Sequence, residues 1–161
     1  MPDEASVMLD IDYAKAILSH NQSLINFLDA KAGVPLAVDG AILAILATSQ
    51  ATLATGFEQL ALAAALLLVG ISAVFGFLII RPRIHAVHPN TKIFYTAIIS
   101  QSRERYKESF SSSPQEMLDD YLNNIYSLAL IEEKKFIYLQ DSLYCLFMGL
   151  VPLIAIIISV H

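Results

Sequence analysis

The sequence contains one cysteine and few charged side chains, and each shortage excludes a class of protein. Because Cys145 stands alone, the chain cannot form an intramolecular disulfide or a cysteine-based metal site. Only 16% of the residues are charged and 56% are hydrophobic, a balance well to the apolar side of an average soluble protein. The net charge of -5 argues against general nucleic-acid binding.

Motifs for catalysis and for metal binding are also missing. No nucleophile stands in a pattern with a base, no glycine-rich phosphate loop follows a strand, and no alternation typical of strands occurs. His85 and His88 lack a third ligand at a suitable spacing. Two pairs of adjacent acids are interpreted as solvated helix faces, namely Asp119-Asp120 and Glu132-Glu133. The sequence therefore predicts an all-α protein that is not an enzyme and holds neither a cofactor nor a metal.

Long apolar runs are what the sequence has in excess. Three blocks occur, at residues 32–51, 60–80 and 142–160, and each is close to the ~20 residues that a helix needs to cross a ~30 Å hydrocarbon core. The first block contains one charged residue, Asp39, and the others contain none. The acidic N-terminus, with no apolar run before residue 30, predicts no secretory signal peptide. We therefore predict a multi-pass membrane protein with three transmembrane helices.

The basic residues predict the orientation of these helices. All ten Lys and Arg residues lie outside the 48–58 connection and the C-terminal end, and an excess of Lys and Arg marks the cytoplasmic segments of membrane proteins. The N-terminus is therefore expected inside and the C-terminus outside. The predicted organisation is a cytoplasmic helix (1–31), two transmembrane helices with a short external loop (32–80), a cytoplasmic helical region (81–141) and a third transmembrane helix (142–161).

Two long helices are predicted to run between the cytoplasm and the membrane. In the first, apolar residues recur at three- and four-residue steps, at Ile11, Ala14, Leu18, Ile25 and Leu28. Asn21 interrupts this stripe, either as a device that fixes helix register or as a ligand contact. The last helix is expected to begin at Ser113-Pro114, with a helical stripe at Leu118, Leu122, Ile125, Ala129 and Phe136. Side by side, the cytoplasmic parts of these helices would form a small bundle.

Residues 29–40 join the first helix to the first apolar block. Pro35 is expected to bend the helix without ending it, and with Asp39 and Gly40 it is predicted to act as a gating hinge. The aspartate is a functional group, the partner of a polar group on a neighbouring helix, or a residue that marks a shallower membrane boundary. The second apolar block is rich in small residues that allow close helix packing, namely Ala61, Ala63, Ala64, Ala65, Gly70, Ser72, Ala73 and Gly76.

Polar and charged side chains collect at the predicted boundary between membrane and cytoplasm. They are Asp29, Lys31, Arg81, Arg83, Asn90, Lys134, Lys135 and Asp141. Arginine suits phosphate recognition because its planar fork donates two hydrogen bonds at once. Boundary Lys and Arg residues also orient membrane helices and contact anionic lipid heads, so both interpretations stay open here.

Short motifs spread over nearly the whole chain form one pattern. They are Asp29-Ala-Lys31-Ala-Gly33, Asp39-Gly40, Arg81-Pro-Arg83, Asn90-Thr-Lys-Ile-Phe-Tyr95, Tyr106, and a last helix with Asp120-Tyr-Leu-Asn-Asn-Ile125, Leu128-Ala129 and Lys135. In this pattern the chain resembles the transmembrane effectors of Pycsar antiphage systems, small bacterial membrane proteins that respond to cyclic pyrimidine mononucleotides.

The resemblance implies an antiphage effector in the bacterial cytoplasmic (inner) membrane. A partner cyclase would make cyclic CMP or cyclic UMP as the activating ligand, the cytoplasmic helices would sense it, and the spans would impair membrane integrity. Ligand contacts are predicted at Asp29, Lys31, Arg81, Arg83, Asn90 and Lys135, and a homo-oligomer in the lipid bilayer is expected. Two alternatives stay open, a constitutive pore-forming or holin-like toxin and a non-enzymatic membrane scaffold subunit.

Overall fold

The protein is built from helices. The computed structural model describes residues 4–48, 56–81, 98–99, 102–108 and 113–160. Its helices are α1 (Glu4–Thr48), α2 (Gly56–Ile80), α3 (Arg103–Glu108) and α4 (Pro114–Val160). No strand occurs in these ranges, so the predicted all-α fold is confirmed. The two long helices were also expected, and α1 and α4 contain 45 and 47 residues.

Serine hydroxyls cap the N-termini of α3 and α4. Ser102 Oγ accepts a hydrogen bond of 3.3 Å from the backbone N–H of Arg105. Ser113 Oγ accepts one of 3.3 Å from the backbone N–H of Glu116. Each bond satisfies one of the N–H groups that lack a partner in the first turn of a helix. The helix start predicted at Ser113-Pro114 is therefore confirmed.

The chain divides into two compact units. The first unit combines Met1–Asn26 with Pro82–Glu133, and the second combines Phe27–Arg81 with Lys134–His161. The helices α1 and α4 each continue from one unit into the other without a break. Each unit therefore shares two helices with the other.

The predicted inward stripe of α1 is confirmed. Ile11, Ala14 and Leu28 are buried, and Leu18 and Ile25 are half-buried. The spacing alone was enough here because the stripe is apolar and its steps of three and four residues return to one face of the helix.

Of the apolar stripe predicted on α4, Leu118 and Ile125 are half-buried and the other three residues are exposed. Leu122 is 49% exposed and Phe136 is 60% exposed, and Ala129 is exposed as well. The residues that α4 buries over this length are mostly polar or charged, namely Asn124, Ser127, Leu128 and Lys135. The prediction assumed that large apolar residues face inward, as they do in water-soluble helices, whereas this helix turns a more polar face toward its neighbours.

In the second unit, α1, α2 and α4 each bury a line of residues at alternating steps of four and three. These lines, called the three seams below, are Leu28, Ala32, Pro35 and Asp39 on α1; Ala65, Val69, Ser72, Gly76 and Ile79 on α2; and Lys135, Leu139, Ser142, Leu146 and Gly149 on α4. Such spacing is the signature of knobs-into-holes packing between helices. Small residues on the seams allow close contact, because a Cβ at Gly149 would lie 3.1 Å from Val69 Cγ2.

Large apolar side chains of the second unit lie away from the seams. Phe77 on α2 is 68% exposed and Phe147 on α4 is 63% exposed. Among the small residues predicted to form the packing face of α2, Ala65, Ser72 and Gly76 are buried, but Ala63 and Ala64 are exposed. Small residues inside and large apolar residues outside are the arrangement expected where lipid surrounds the helices.

Two of the three predicted spans coincide with helices that are long and apolar enough to cross a membrane. These are α2 and the helix Pro114–Ile158, which contains most of the last apolar block. The first predicted span, 32–51, falls at the end of α1, and its last three residues lie outside the described ranges. Within those ranges α1 does not meet the same criterion, so this span stays a prediction.

Two glycines of α2 provide a test of the close packing. A Cβ at Gly76 would lie 2.7 Å from Leu36 Cγ, whereas a Cβ at Gly70 would have no neighbour within 4 Å. We expect Gly76→Ala to destabilise the protein by about 1–3 kcal/mol through overpacking, while Gly70→Ala is neutral or slightly stabilising. Thermal unfolding of the two variants in the same detergent measures the difference, and equal behaviour would contradict the tight α1–α2 contact.

Candidate functional site

An ion pair joins α1 to α4 in the second unit. Lys135 Nζ donates a hydrogen bond to Asp29 Oδ1, although 106 positions separate the two residues in the sequence. The side chain of Lys135 is 5% exposed and that of Asp29 is 36% exposed. The ammonium is thus buried against a carboxylate that keeps access to solvent.

A small apolar cluster adjoins this pair. Leu28, Ala32, Ile79 and Leu139 are buried together, and Tyr138 and Leu143 pack against them. The ring of Tyr138 also stacks on Phe75, with centroids 6.1 Å apart. Leu28 precedes Asp29 directly and Leu139 follows Lys135 by one helical turn, so the cluster lowers the local dielectric and strengthens the attraction between the two charges.

The other predicted ligand residues lie at exposed positions or outside the described ranges. Lys31 is exposed, and its Nζ lies 4.9 Å from the centroid of the Phe27 ring, within the range of a cation–π contact. Arg81 is exposed directly after α2. Arg83 and Asn90 lie outside the described ranges. Of the six residues, the structure therefore brings Asp29 and Lys135 together.

The three predicted hinge residues have different environments. Pro35 is fully buried inside α1, which continues past it to Thr48. Asp39 is 1% exposed, and Ser72 Oγ on α2 donates a hydrogen bond of 2.9 Å to Asp39 Oδ2. Gly40 is exposed, and a Cβ added to it would have no neighbour within 4 Å. Asp39 therefore has a polar partner on a neighbouring helix, which is one of the alternatives predicted for it.

Two serines complete a polar cluster around Asp39, and sequence reasoning missed their role. Ser142 Oγ on α4 lies 3.2 Å from Ser72 Oγ and donates a bond of 3.1 Å to the backbone oxygen of Ser72. Both serines are fully buried. Ser72 was predicted only as a small packing residue and Ser142 only as the start of a span. Both serines lie at seam positions in runs that contain no charged residue, and this pattern was the available sequence signal. It does not show that the two serines lie next to Asp39.

The first unit buries polar side chains as well. Asn21 on α1 is 8% exposed, and Asn124 on α4 is 5% exposed. Ser127 Oγ donates to the backbone oxygen of Asn123 at 2.9 Å, a bond within one turn of α4. Asn124 Oδ1 is buried and has no hydrogen-bond partner among the described residues. Since buried polar atoms are nearly always paired, this amide oxygen is a candidate ligand contact.

Glu132 contradicts the interpretation of Glu132-Glu133 as a solvated pair. Its side chain is half-buried, and its Oε1 has no hydrogen-bond partner among the described residues. Burial raises the pKa of the Glu132 carboxyl, and His20 lowers it in part. Glu132 is therefore incompletely solvated, as are carboxyl groups in many ligand sites.

Metal ligands do not assemble in the part of the chain that the structure covers. There, no group of three or more His, Cys, Asp or Glu side chains is placed to hold a metal ion. His85 and His88, for which the sequence offers no third metal ligand, lie outside the described ranges.

Comparison with known proteins identifies the family. The model of the Pycsar effector protein domain matches residues 13–161, which include parts of both units and all of α2, α3 and α4. No curated protein and no solved structure matches the chain. Because the family model covers most of the chain, the protein belongs to the Pycsar effector family, the membrane effectors of an antiphage defence system that signals through cyclic pyrimidine nucleotides made by a cyclase.

Proposed function

We propose that this effector senses cyclic CMP or cyclic UMP through its cytoplasmic helices and impairs the integrity of the bacterial cytoplasmic membrane through its transmembrane helices. The observation that carries the proposal is the family match over residues 13–161. It is supported by the contrast between the units, since the apolar part of α4 and all of α2 belong to the second unit. The proposed topology has three spans, at 32–51, 60–80 and 142–160, with the N-terminus inside.

The ligand is proposed to act by shifting an equilibrium between two helix arrangements. A nucleotide with equal affinity for both arrangements would shift nothing, so it must bind one of them more tightly. The continuity of α1 and α4 between the units supports a direct connection from sensing to the membrane. Pro35, Asp39 and Gly40 are the proposed hinge in α1.

Anion recognition is proposed at the Asp29–Lys135 pair. The phosphate of a cyclic nucleotide carries one negative charge and can replace the Asp29 carboxylate as the partner of Lys135. The partial exposure of Asp29 supports this exchange, because the carboxylate can leave the pair for water. Lys31 and Arg81 are proposed to add positive charge, and Arg83 and Asn90 are proposed contacts on the basis of the sequence.

Expression with a partner cyclase tests the proposed function. We expect cells that contain the chain and an active pyrimidine cyclase to lose membrane potential, as measured with a potential-sensitive dye. Cells with an inactive cyclase, or with a cyclase that makes cyclic AMP, should keep it. Depolarisation in all of these cells would indicate a constitutive pore-former, and depolarisation in none would favour a scaffold.

The same assay tests the hinge. Pro35→Ala should weaken the nucleotide-dependent loss of potential, because it restores a backbone N–H and removes the bend expected at a proline. Gly33→Ala is a matched control, since Gly33 is exposed two residues earlier and an added Cβ would have no neighbour within 4 Å. If Pro35→Ala responds like the unaltered chain, residues 29–40 form a boundary and not a hinge.

A further inference from the structure

Asp39 is a buried carboxylate whose two oxygens differ in their hydrogen bonding. The residue is 1% exposed at the centre of the second unit. Asp39 Oδ2 accepts the hydrogen bond from Ser72, but Asp39 Oδ1 is buried without a hydrogen-bond partner among the described residues. Since a buried acceptor without a donor is costly, the site lacks a component.

Counting hydroxyl protons shows that the two serines cannot supply it. Each serine has one O–H donor. The Ser72 hydroxyl donates to Asp39 Oδ2, and the Ser142 hydroxyl donates to the backbone oxygen of Ser72. Neither proton remains for Asp39 Oδ1, so the cluster is short of one proton or one positive charge.

The charged groups of the second unit do not fill this place. Lys135 is engaged with Asp29, Lys31 lies over Phe27, and Arg81 and Lys134 are exposed. The ionisable groups near Asp39 on α4 are Asp141 and Cys145, because Asp39 and Asp141 both act electrostatically on the Cys145 thiol. The seam of α2 adds only Ser72 as a polar group here. Among the described residues, these neighbours contribute no positive charge to Asp39.

We propose that Asp39, Ser72 and Ser142 form a binding site for one exchangeable monovalent cation, either a proton or a sodium ion. An ionised carboxylate in a low-dielectric interior is strongly unfavourable unless it is neutralised. A proton would bind Asp39 Oδ1 directly. A sodium ion would bind Oδ1 together with serine oxygens, because hard cations select oxygen ligands. The three ligand residues come from α1, α2 and α4, so an occupied site stabilises the contact among all three helices.

Thermal unfolding of the full chain in lipid nanodiscs tests this site and distinguishes the two cations. Sodium chloride is compared with N-methylglucamine chloride at equal ionic strength, from mildly acidic to mildly alkaline pH. For a sodium site we expect Tm to rise by about 5 °C with sodium, most clearly at alkaline pH. For a proton site we expect a similar rise in Tm from alkaline to acidic pH that does not depend on sodium.

Variants assign the effect to the cluster. Asp39→Asn keeps the shape of a neutral carboxyl and should abolish both dependences, whereas Glu133→Gln removes an exposed carboxylate and should preserve them. Ser142→Ala, which changes no charge, should weaken the sodium dependence or shift the pH midpoint, and serves if Asp39→Asn does not fold. An unaltered chain with neither dependence overturns the proposal, as does Asp39→Asn with the dependence of the unaltered chain.

Discussion

Replacing Asp29 with alanine is expected to lower the free energy of unfolding by about 2 kcal/mol, or Tm by about 4–8 °C. The reason is that Lys135 would keep a buried ammonium without its carboxylate. The expected cost is below the ~3–5 kcal/mol typical of a broken buried pair, because Asp29 is itself 36% exposed and water already reaches that side. Thermal unfolding in detergent at fixed pH and salt measures the change.

The reverse replacement should be much milder. Lys135→Met keeps the length of the side chain and removes the buried charge, while the Asp29 carboxylate can be hydrated, so we expect a change below about 1 kcal/mol. The double variant Asp29→Ala with Lys135→Met should recover most of the stability lost by Asp29→Ala, since the two effects are coupled. Equal costs for the two single variants would contradict the unequal burial of the pair.

Lys135 and Asp29 should also differ in their effect on the depolarisation assay. If the nucleotide phosphate takes the place of Asp29, Lys135→Met should lose the nucleotide-dependent depolarisation, whereas Asp29→Ala should keep it wherever the protein remains folded. A purely structural ion pair would give the opposite order, with Asp29→Ala the more damaging change in the assay.

Replacing Asn124 with leucine is expected to raise stability and weaken nucleotide binding. Asn124 Oδ1 is buried and has no hydrogen-bond partner in the part of the chain that the structure describes, so an apolar side chain of similar size should stabilise the protein by about 1 kcal/mol. If the amide contacts the nucleotide, the same change should weaken binding of cyclic CMP or cyclic UMP by about 10-fold, which corresponds to ~1.4 kcal/mol. Isothermal titration calorimetry on the solubilised chain measures the affinity, and thermal unfolding measures the stability.

Asn123 provides the matched control for this prediction. It is the adjacent asparagine of α4 and is exposed, so Asn123→Leu should change neither stability nor affinity appreciably. A stabilised Asn124→Leu variant with unchanged nucleotide affinity would make Asn124 a register device in the helix contact.

The sequence predicted those features that depend on local pattern. The all-α fold, the helix start at Ser113 and the inward stripe of α1 were all visible, because caps and apolar periodicity act within a few residues. The inward face of α4 was not predictable in the same way. Its buried residues include Asn124, Lys135 and Ser142, and a rule that turns large apolar residues inward selects the opposite face.

The candidate sites show the same limit of sequence reasoning. Asp29 and Lys135 were both predicted as boundary residues, but their pairing spans 106 positions and follows only from the packing of α1 against α4. Ser72 lies 33 positions from Asp39 and 70 from Ser142. The sequence around a hydroxyl in an apolar run does not show which residue the hydroxyl will contact. The Asp39–Ser72–Ser142 cluster could therefore be found only from the structure.

The regular spacing of the three seams limits how the second unit can rearrange. In knobs-into-holes packing, each side chain on the seam of one helix fits between side chains of the next helix. Sliding a helix by less than one turn, ~5.4 Å, would therefore bring these side chains into collision. The close approach of Leu36 to Gly76 and of Val69 to Gly149 favours the observed register of the helices. Intermediate positions are therefore disfavoured, so that any sliding of one helix past another in this unit would proceed in steps of about one helical turn.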